Sequence, residues 1–525
     1  MRKSLMSMGA AAAALLLIPL TVADAAPGGA NWTNAGGDYR NTRSQPSESK
    51  LTISNVSGLT KKWEFTTGGD VSATPAVYNG HVYVPDWAGN LYAINAKTGA
   101  QEWRTSIPAA SGVPFDKARA TPTVTESLVI VGTQGSILAP GGGPGGKVMA
   151  FSRATGELVW STVADAHPAA IITQSPTVFN GLLYVGVASQ EEALAAFVPG
   201  YELSFRGSML AIDVATGAIV WKTYMAPTGY TGNAVWGSSP AIDTKRHQVL
   251  IATGNNYSVP PEVLECVKEA GSSSAQAACL PANDFFDSIL ALDLTTGAVK
   301  WVTRAIPYDA WTVDCIPFFG DGDLCPDPAG PDYDFGQAPS LFTVKPPGGK
   351  SVDVVGAGQK SGQYWALDAA TGAVRWVTQA GPGGTAGGLQ WGSAVDRGRI
   401  YTANANSNLV PWTLPGGAVT TAGVWSGLDA VTGQVLWQKT PPHGGGTSGP
   451  VTTANGIVFG CSLDPAGHMY AMNGATGAIL WEFASGGSCL SGAAISNGTV
   501  YWGSGYSNFG FGTPNNKLYA FGLPN

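Results

Sequence analysis

The chain has 525 residues, 44% hydrophobic and 12% charged, with 71 glycines and a formal net charge of -7. A sparse, acidic charge set without a long basic run argues against nucleic acid or an anionic membrane as partner. So many glycines in so long a chain fit a large globular β protein rich in turns.

The chain opens with Arg2-Lys3, an apolar run from Ala10 to Leu20 and a small-x-small step at Ala23-Asp24-Ala25. This order predicts a signal peptide over residues 1–25, leaving 26–525 as one exported domain, periplasmic or secreted. No later stretch is long and apolar enough to span a bilayer, so no membrane span is expected.

Next comes a fragment, Leu59 to Phe65 with Trp63, which matches the second half of a unit repeated downstream. That unit, Ala-x-Asp-x-x-Thr-Gly-x-x-x-Trp or a near copy, recurs at Ala93–Trp103, Ala150–Trp160, Ala211–Trp221, Ala291–Trp301, Ala366–Trp376, Gly427–Trp437 and Ala471–Trp481. Each copy predicts two short strands joined by a tight turn. The small residue suits a closely approached strand, Asp or Asn caps the turn, Gly takes a positive φ, and Trp buries its ring between units. The Trp-to-Trp intervals of 57, 61, 80, 75, 61 and 44 residues fit four-stranded propeller blades with loops. Near the end, Lys517 to Phe521 repeats the first half of the unit and stops before any Trp, while Leu59 to Phe65 supplies the missing half. Together they predict an all-β, eight-bladed propeller closed by both ends of the chain, with no free sheet edge.

The six cysteines favour disulfides in an exported chain, and proximity pairs Cys266 with Cys279, Cys315 with Cys325 and Cys461 with Cys489. No Cys-x-x-Cys-His is present, so no c-type haem is attached to this sequence. The two longest intervals hold four of the cysteines and an acidic irregular loop, Asp309 to Asp334, which predicts where the functional face lies.

The closed eightfold repeat resembles the quinoprotein dehydrogenases that use pyrroloquinoline quinone (PQQ). The segments Phe205-Arg206-Gly207-Ser208, Gly254-Asn255-Asn256-Tyr257, Asp309-Ala310-Trp311, Asp332-Tyr333-Asp334 and Gly358-Gln359-Lys360-Ser361-Gly362 resemble its polyvinyl-alcohol-dehydrogenase branch. The resemblance implies an alcohol oxidation in which an Asp accepts the hydroxyl proton while a metal ion and a cationic side chain hold the quinone oxygen. It places the metal on Glu191, counted forward from Thr173-Gln174-Ser175-Pro176, with Glu192 as the neighbouring alternative, and on Asn255, with Asn256 as alternative. Oxygen ligands of this kind suit Ca²⁺, and Asp332 with Asp334 in the shell would favour a lanthanide. Asp332 is the expected base, with Asp309 and Asp314 in reserve, and Lys360 the cation. Trp236, outside the repeat, is the expected floor under the quinone. Arg119 is expected on a cofactor carboxylate, with Thr173, Gln390 and Trp391 at its edges. Electrons would leave to a separate cytochrome c or other acceptor. Non-enzymatic assembly propellers share the repeat, so a scaffold that binds no cofactor is the competing expectation.

Overall fold

The computed structural model describes residues 31–135 and 145–524; the expected signal peptide, residues 1–25, lies outside them. Eight antiparallel blades follow one another along the chain, seven of four strands and the third of five, where Ala170–Ile171 also pairs with Leu182–Ser189. The first blade is Ala76–Tyr78, His81–Pro85, Asn90–Asn95 and Gln101–Ser106. The eighth is Ala493–Ser496, Thr499–Ser504 and Lys517–Gly522, completed by Thr60–Thr66 from the other end of the chain, with Trp63 opposite Ala520. The all-β eight-bladed ring and its closure by both termini are therefore as the repeat predicts. All three cysteine pairs form as expected. Among the described residues, no helix is long and apolar enough to cross a membrane.

The repeat explains how blades stack. Its small residue and its Trp face each other across the third and fourth strands of one blade, as in Ala93 with Trp103 and Ala291 with Trp301, and the ladder slips by one residue directly after the pair. The Thr-Gly glycine has φ near +75° and lies against the Trp of the preceding blade. A Cβ on Gly297 (φ +70°), for instance, would sit 2.5 Å from the Trp221 ring. The position therefore demands glycine twice over, for its backbone and for its missing side chain. The indole N–H then donates into the following blade, Trp103 to the Arg153 carbonyl and Trp221 to that of Leu294, both at 3.0 Å. Trp301 and Trp376 depart from this, their buried N–H groups having no partner among the described residues.

Another element has no counterpart in the repeat. Residues 32–45 run along the first strands of the blades and bond to them in turn. Trp32 pairs with Val77, and carbonyls of Thr33, Tyr39, Arg40, Thr42 and Arg43 accept from Val124, Ile242, Leu341, Val395 and Thr453. Tyr39 packs on Phe179 of the third blade, and the Gln45 amide donates to Ile495 of the eighth. This segment is a plug that ties all eight inner strands together.

Candidate active site

In a ring of sequential antiparallel strands, the Thr-Gly turns project to one face. The loops between second and third strands, and those from blade to blade, project to the other. Every residue proposed from the sequence lies on or beside that second face. A cavity of about 450 Å³ opens there, its wall including Arg119, Glu192, Trp236, Asp334, Lys360 and Trp391, with Thr173 and Gln390 beside them. Leu409 (67% exposed) and Phe511 (51% exposed) put two exposed apolar side chains on its wall, beside the partly exposed Thr385 and Ser407.

Trp236 is fixed rather than free. Its indole N–H donates to Asp334 Oδ2 at 2.8 Å, its backbone carbonyl accepts from the Thr173 hydroxyl at 2.9 Å, and its ring meets Trp391 edge-on with centroids 5.2 Å apart. Asp334 Oδ1 also accepts the Asn255 backbone N–H at 2.8 Å. Arg119 stands 4.6 Å over the Trp391 ring, a cation on an aromatic face, and no carboxylate pairs with it among the described residues. Burial pulls its guanidinium below its ordinary value, with a Tyr506 contact opposing.

Lys360 is the one ammonium among several buried carboxyls. Its Nζ lies 2.6 Å from Asp332 Oδ1 and 3.5 Å from Asp334 Oδ2. Burial alone would lower its pKa, but the carboxylates of Asp332, Asp334 and Glu192 raise it. Asp332 does not form the cavity wall; it is 1% exposed, behind the Lys360 ammonium, in a left-handed backbone conformation (φ 58°). Behind it, Asp309 accepts the backbone N–H groups of Asp332 at 3.1 Å and Tyr333 at 2.7 Å, and it neighbours Asp287, whose two buried carboxyl oxygens have no hydrogen-bond partner among the described residues. Burial drives Asp332 and Asp287 well above the usual carboxylate range and Asp309 to about 6. With the Lys360 ammonium, and Arg304 acting on Asp287, to balance them, the five carboxyls Glu192, Asp287, Asp309, Asp332 and Asp334 still outnumber the cations, and burial pushes Glu192 to about 7.

The adjacent glutamates have separate tasks. The Glu191 carboxylate is fully buried and occupied: it accepts from the backbone N–H groups of Ser204 and Phe205 at 3.0 and 2.8 Å and from Tyr201 Oη at 3.1 Å, with His167 Nε2 at 3.1 Å. It braces the loop and is absent from the cavity wall. Glu192, the alternative, is on the wall, and its buried Oε1 has no hydrogen-bond partner among the described residues. Asn255 Nδ2 donates to the Asn256 and Trp311 carbonyls at 2.9 and 2.8 Å, which leaves its buried Oδ1 unpartnered. Among the described residues no three His, Cys, Asp or Glu side chains form a metal shell on their own. Orphaned carboxylate and amide oxygens, beside a cluster short of positive charge, are what a hard cation completed by a ligand's oxygens requires. The reserve Asp314 is otherwise engaged, accepting from Gly322 at 3.0 Å and Leu324 at 2.8 Å to shape its own disulfide loop. Tyr257, on the wall, stands in the Gly254–Tyr257 segment but has no role assigned by it, and Asp287, behind the wall, sits in no spacing that marks it.

The family described as outer membrane protein assembly factor BamB (PQQ_2) matches residues 21–303 and 360–521. A polyvinylalcohol dehydrogenase from a Pseudomonas species is 30% identical over 91% of this chain and 73% of its own length. Another polyvinylalcohol dehydrogenase, from Sphingopyxis sp. strain 113P3, is 29% identical over 90% and 73%. The structure of quinohemoprotein alcohol dehydrogenase ADHIIG from Pseudomonas putida HK5 superposes with a TM-score of 0.70 at 19% identity, covering 94% of this chain and 80% of that one.

Proposed function

Since the chain belongs to the PQQ-repeat quinoprotein dehydrogenases, in their polyvinyl-alcohol-dehydrogenase-like branch, we propose that it oxidises secondary or polymeric alcohols to ketones with PQQ and a metal ion. The observation that carries this reading is the charge-deficient carboxyl cluster with its orphaned Glu192 and Asn255 oxygens, at the wall of a Trp-floored cavity. Bound PQQ would supply the two-electron acceptor for the carbinol hydride, and the metal, Ca²⁺ or a lanthanide, the Lewis acidity.

The chain's own residues divide the remaining work. Glu192 and Asn255 hold the cation, which offsets the excess of carboxyls and lets Asp332 ionise. Asp334 keeps the Trp236 indole in one orientation as a platform, with its second oxygen spent on the Asn255 backbone. Arg119, in reach of an anionic edge above Trp391, holds a cofactor carboxylate, with Thr173 and Gln390 beside it. The hydroxyl proton is assigned to Asp332, which lies behind the cavity wall and is reached past the Lys360 ammonium at 2.6 Å, whose charge orients the carboxylate and stabilises its charged form. The exposed apolar side chains of Leu409 and Phe511 suit a substrate whose carbinol lies on an aliphatic backbone. Electrons leave to a separate acceptor, a cytochrome c or similar carrier. Three disulfides fit a periplasmic or secreted protein.

Protein loaded with PQQ and Ca²⁺ is expected to show dye-linked oxidation of secondary alcohols, and Asp332→Asn to lower kcat by about 10²–10⁴-fold, the usual worth of a positioned base. Full activity in Asp332→Asn would remove this assignment. A scaffold without a cofactor gives no account of why so many carboxyls are buried around a single ammonium.

A further inference from the structure

Beneath the site cavity, between the plug and the ring, is a second cavity of about 50 Å³. Its wall carries two guanidinium groups, Arg43 from the plug and Arg119 from the ring, together with six Ser and Thr residues and no Asp or Glu. Arg119, Thr173, Trp391 and Leu490 border both cavities.

Arg43 is the unusual member. It is 1% exposed, and its Nε and Nη1 have no hydrogen-bond partner among the described residues. No carboxylate pairs with it there, whereas Lys360, Asp332 and Asp334, buried to a similar degree, meet one another as ion pairs. Its backbone is held on both sides, the N–H donating to Gly36 and the carbonyl accepting from Thr453, at a left-handed φ of 51°. The ring makes room for it as well: a Cβ on Gly392 would lie 2.0 Å from Arg43 Nε. Burial pushes the guanidinium down to about 9, which leaves it cationic at neutral pH. A chain that accepts backbone strain and an unpaired buried charge at one residue gains nothing by doing so unless the charge meets a counter-charge. Water can fill a polar space of this size, but it brings no charge.

We propose that this small cavity is an anion site, in which Arg43 and the surrounding hydroxyls hold one monovalent negative group, either a free halide or a carboxylate of a molecule bound in the cavity above. The anion would lock the plug to the ring directly under the Trp391 side of the active site. In its halide form the proposal stands whether or not the protein is a dehydrogenase. Only the carboxylate form rests on the PQQ reading.

The test uses the full chain without cofactor, at constant ionic strength set with gluconate, which is too large for the cavity. Replacing gluconate by chloride is expected to raise Tm by about 2–3 °C at a hundredfold excess over Kd, as linkage gives for a chain of this size. Arg43→Met is expected to abolish the chloride dependence. Crystals grown in bromide, which do not rely on the variant folding, are expected to show an anomalous peak beside Arg43. If the peak persists after PQQ is added, the site takes a free halide. If PQQ removes the peak while PQQ binding weakens about tenfold or more in Arg43→Met, as loss of a charged contact predicts, the source is a carboxylate. A Tm indifferent to chloride, no bromide peak and unchanged PQQ uptake in Arg43→Met would together overturn the proposal.

Discussion

At the scale of single residues, the sharpest contrast is between Glu191 and Glu192. Counting from a motif lands on Glu191, but a short helix, Glu191–Phe197, begins there and turns adjacent side chains about 100° apart. One carboxylate therefore braces the Ser204–Phe205 backbone while its neighbour reaches the cavity wall. Glu192→Gln should lower Ca²⁺ affinity by about tenfold or more without lowering the Tm of the metal-free protein, because a charged oxygen ligand is lost without loss of packing. Glu191→Gln should do the reverse, costing about 1–3 kcal/mol of stability as buried N–H groups lose a charged acceptor. Isothermal titration with Ca²⁺ beside thermal melts separates the two, and equal behaviour would contradict the division of roles. The residue types at Trp236, Lys360 and Asp334 were legible in the sequence because each stands in a short local motif. Asp287 and Arg43 were not, because what distinguishes them is the loss of solvent and of partners, which arises only once distant segments meet.

The same residues fix a pH dependence. Burial raises Glu192 to about 7 and Asp309 to about 6, so the metal-free folded state holds protons that the unfolded chain has already released. Groups shifted in this direction contribute stability that is present at low pH and lost as pH rises through their folded pKa. The metal-free protein should therefore lose stability from about pH 4 to 7, while Ca²⁺ affinity should rise through about pH 7 with proton release, since the metal competes with the Glu192 proton. Calorimetry in buffers of different ionisation enthalpy counts those protons. Binding without proton release at neutral pH would contradict the assignment of Glu192.

At the scale of elements, the strand–turn–strand unit could be read from sequence because its rules are local: a positive φ, a capping Asp and one large ring. Its stacking could be inferred but not its contacts. Gly297→Ala tests the contact, since it requires both a left-handed Ala and overlap with Trp221. A loss of about 2–4 kcal/mol is expected from the sum of these costs, and a near-neutral result would show that the blades tolerate a looser seam. The seam between the fourth and fifth blades adds an ionic clasp. Asp353 meets Arg246 at 2.7 Å and Lys245 at 3.0 Å. Burial opposes the shift, but these cations and the Thr343 hydroxyl outweigh it and hold the Asp353 carboxyl below its usual range. The clasp's contribution is present above an unfolded pKa of about 4 and fades as pH falls through the folded value. Asp353→Asn should then cost about 1 kcal/mol at neutral pH, as for a partly exposed ion pair, and nothing in strong acid. Denaturation midpoints at the two pH values are the check.

At the scale of the whole molecule, the split repeat predicted ring closure because the two halves complement each other in sequence. The plug left no such mark, since residues 32–45 bond mainly through backbone carbonyls, which any side chains could supply. The outcome is a ring held three ways: by Trp–Gly seams between blades, by Thr60–Thr66 paired with Lys517–Gly522, and by a segment tied to all eight inner strands. Such a frame keeps loops from different blades fixed relative to one another, which a multi-blade cofactor site requires. The central claim is that this frame holds PQQ over Trp236 through a cation on Glu192 and Asn255. Its most direct test is a titration of the metal-free protein with PQQ, with and without Ca²⁺, followed by tryptophan fluorescence. Saturable quenching at one equivalent that requires Ca²⁺, and that weakens in Glu192→Gln, is the predicted result; no quenching at saturating PQQ and Ca²⁺ would contradict it.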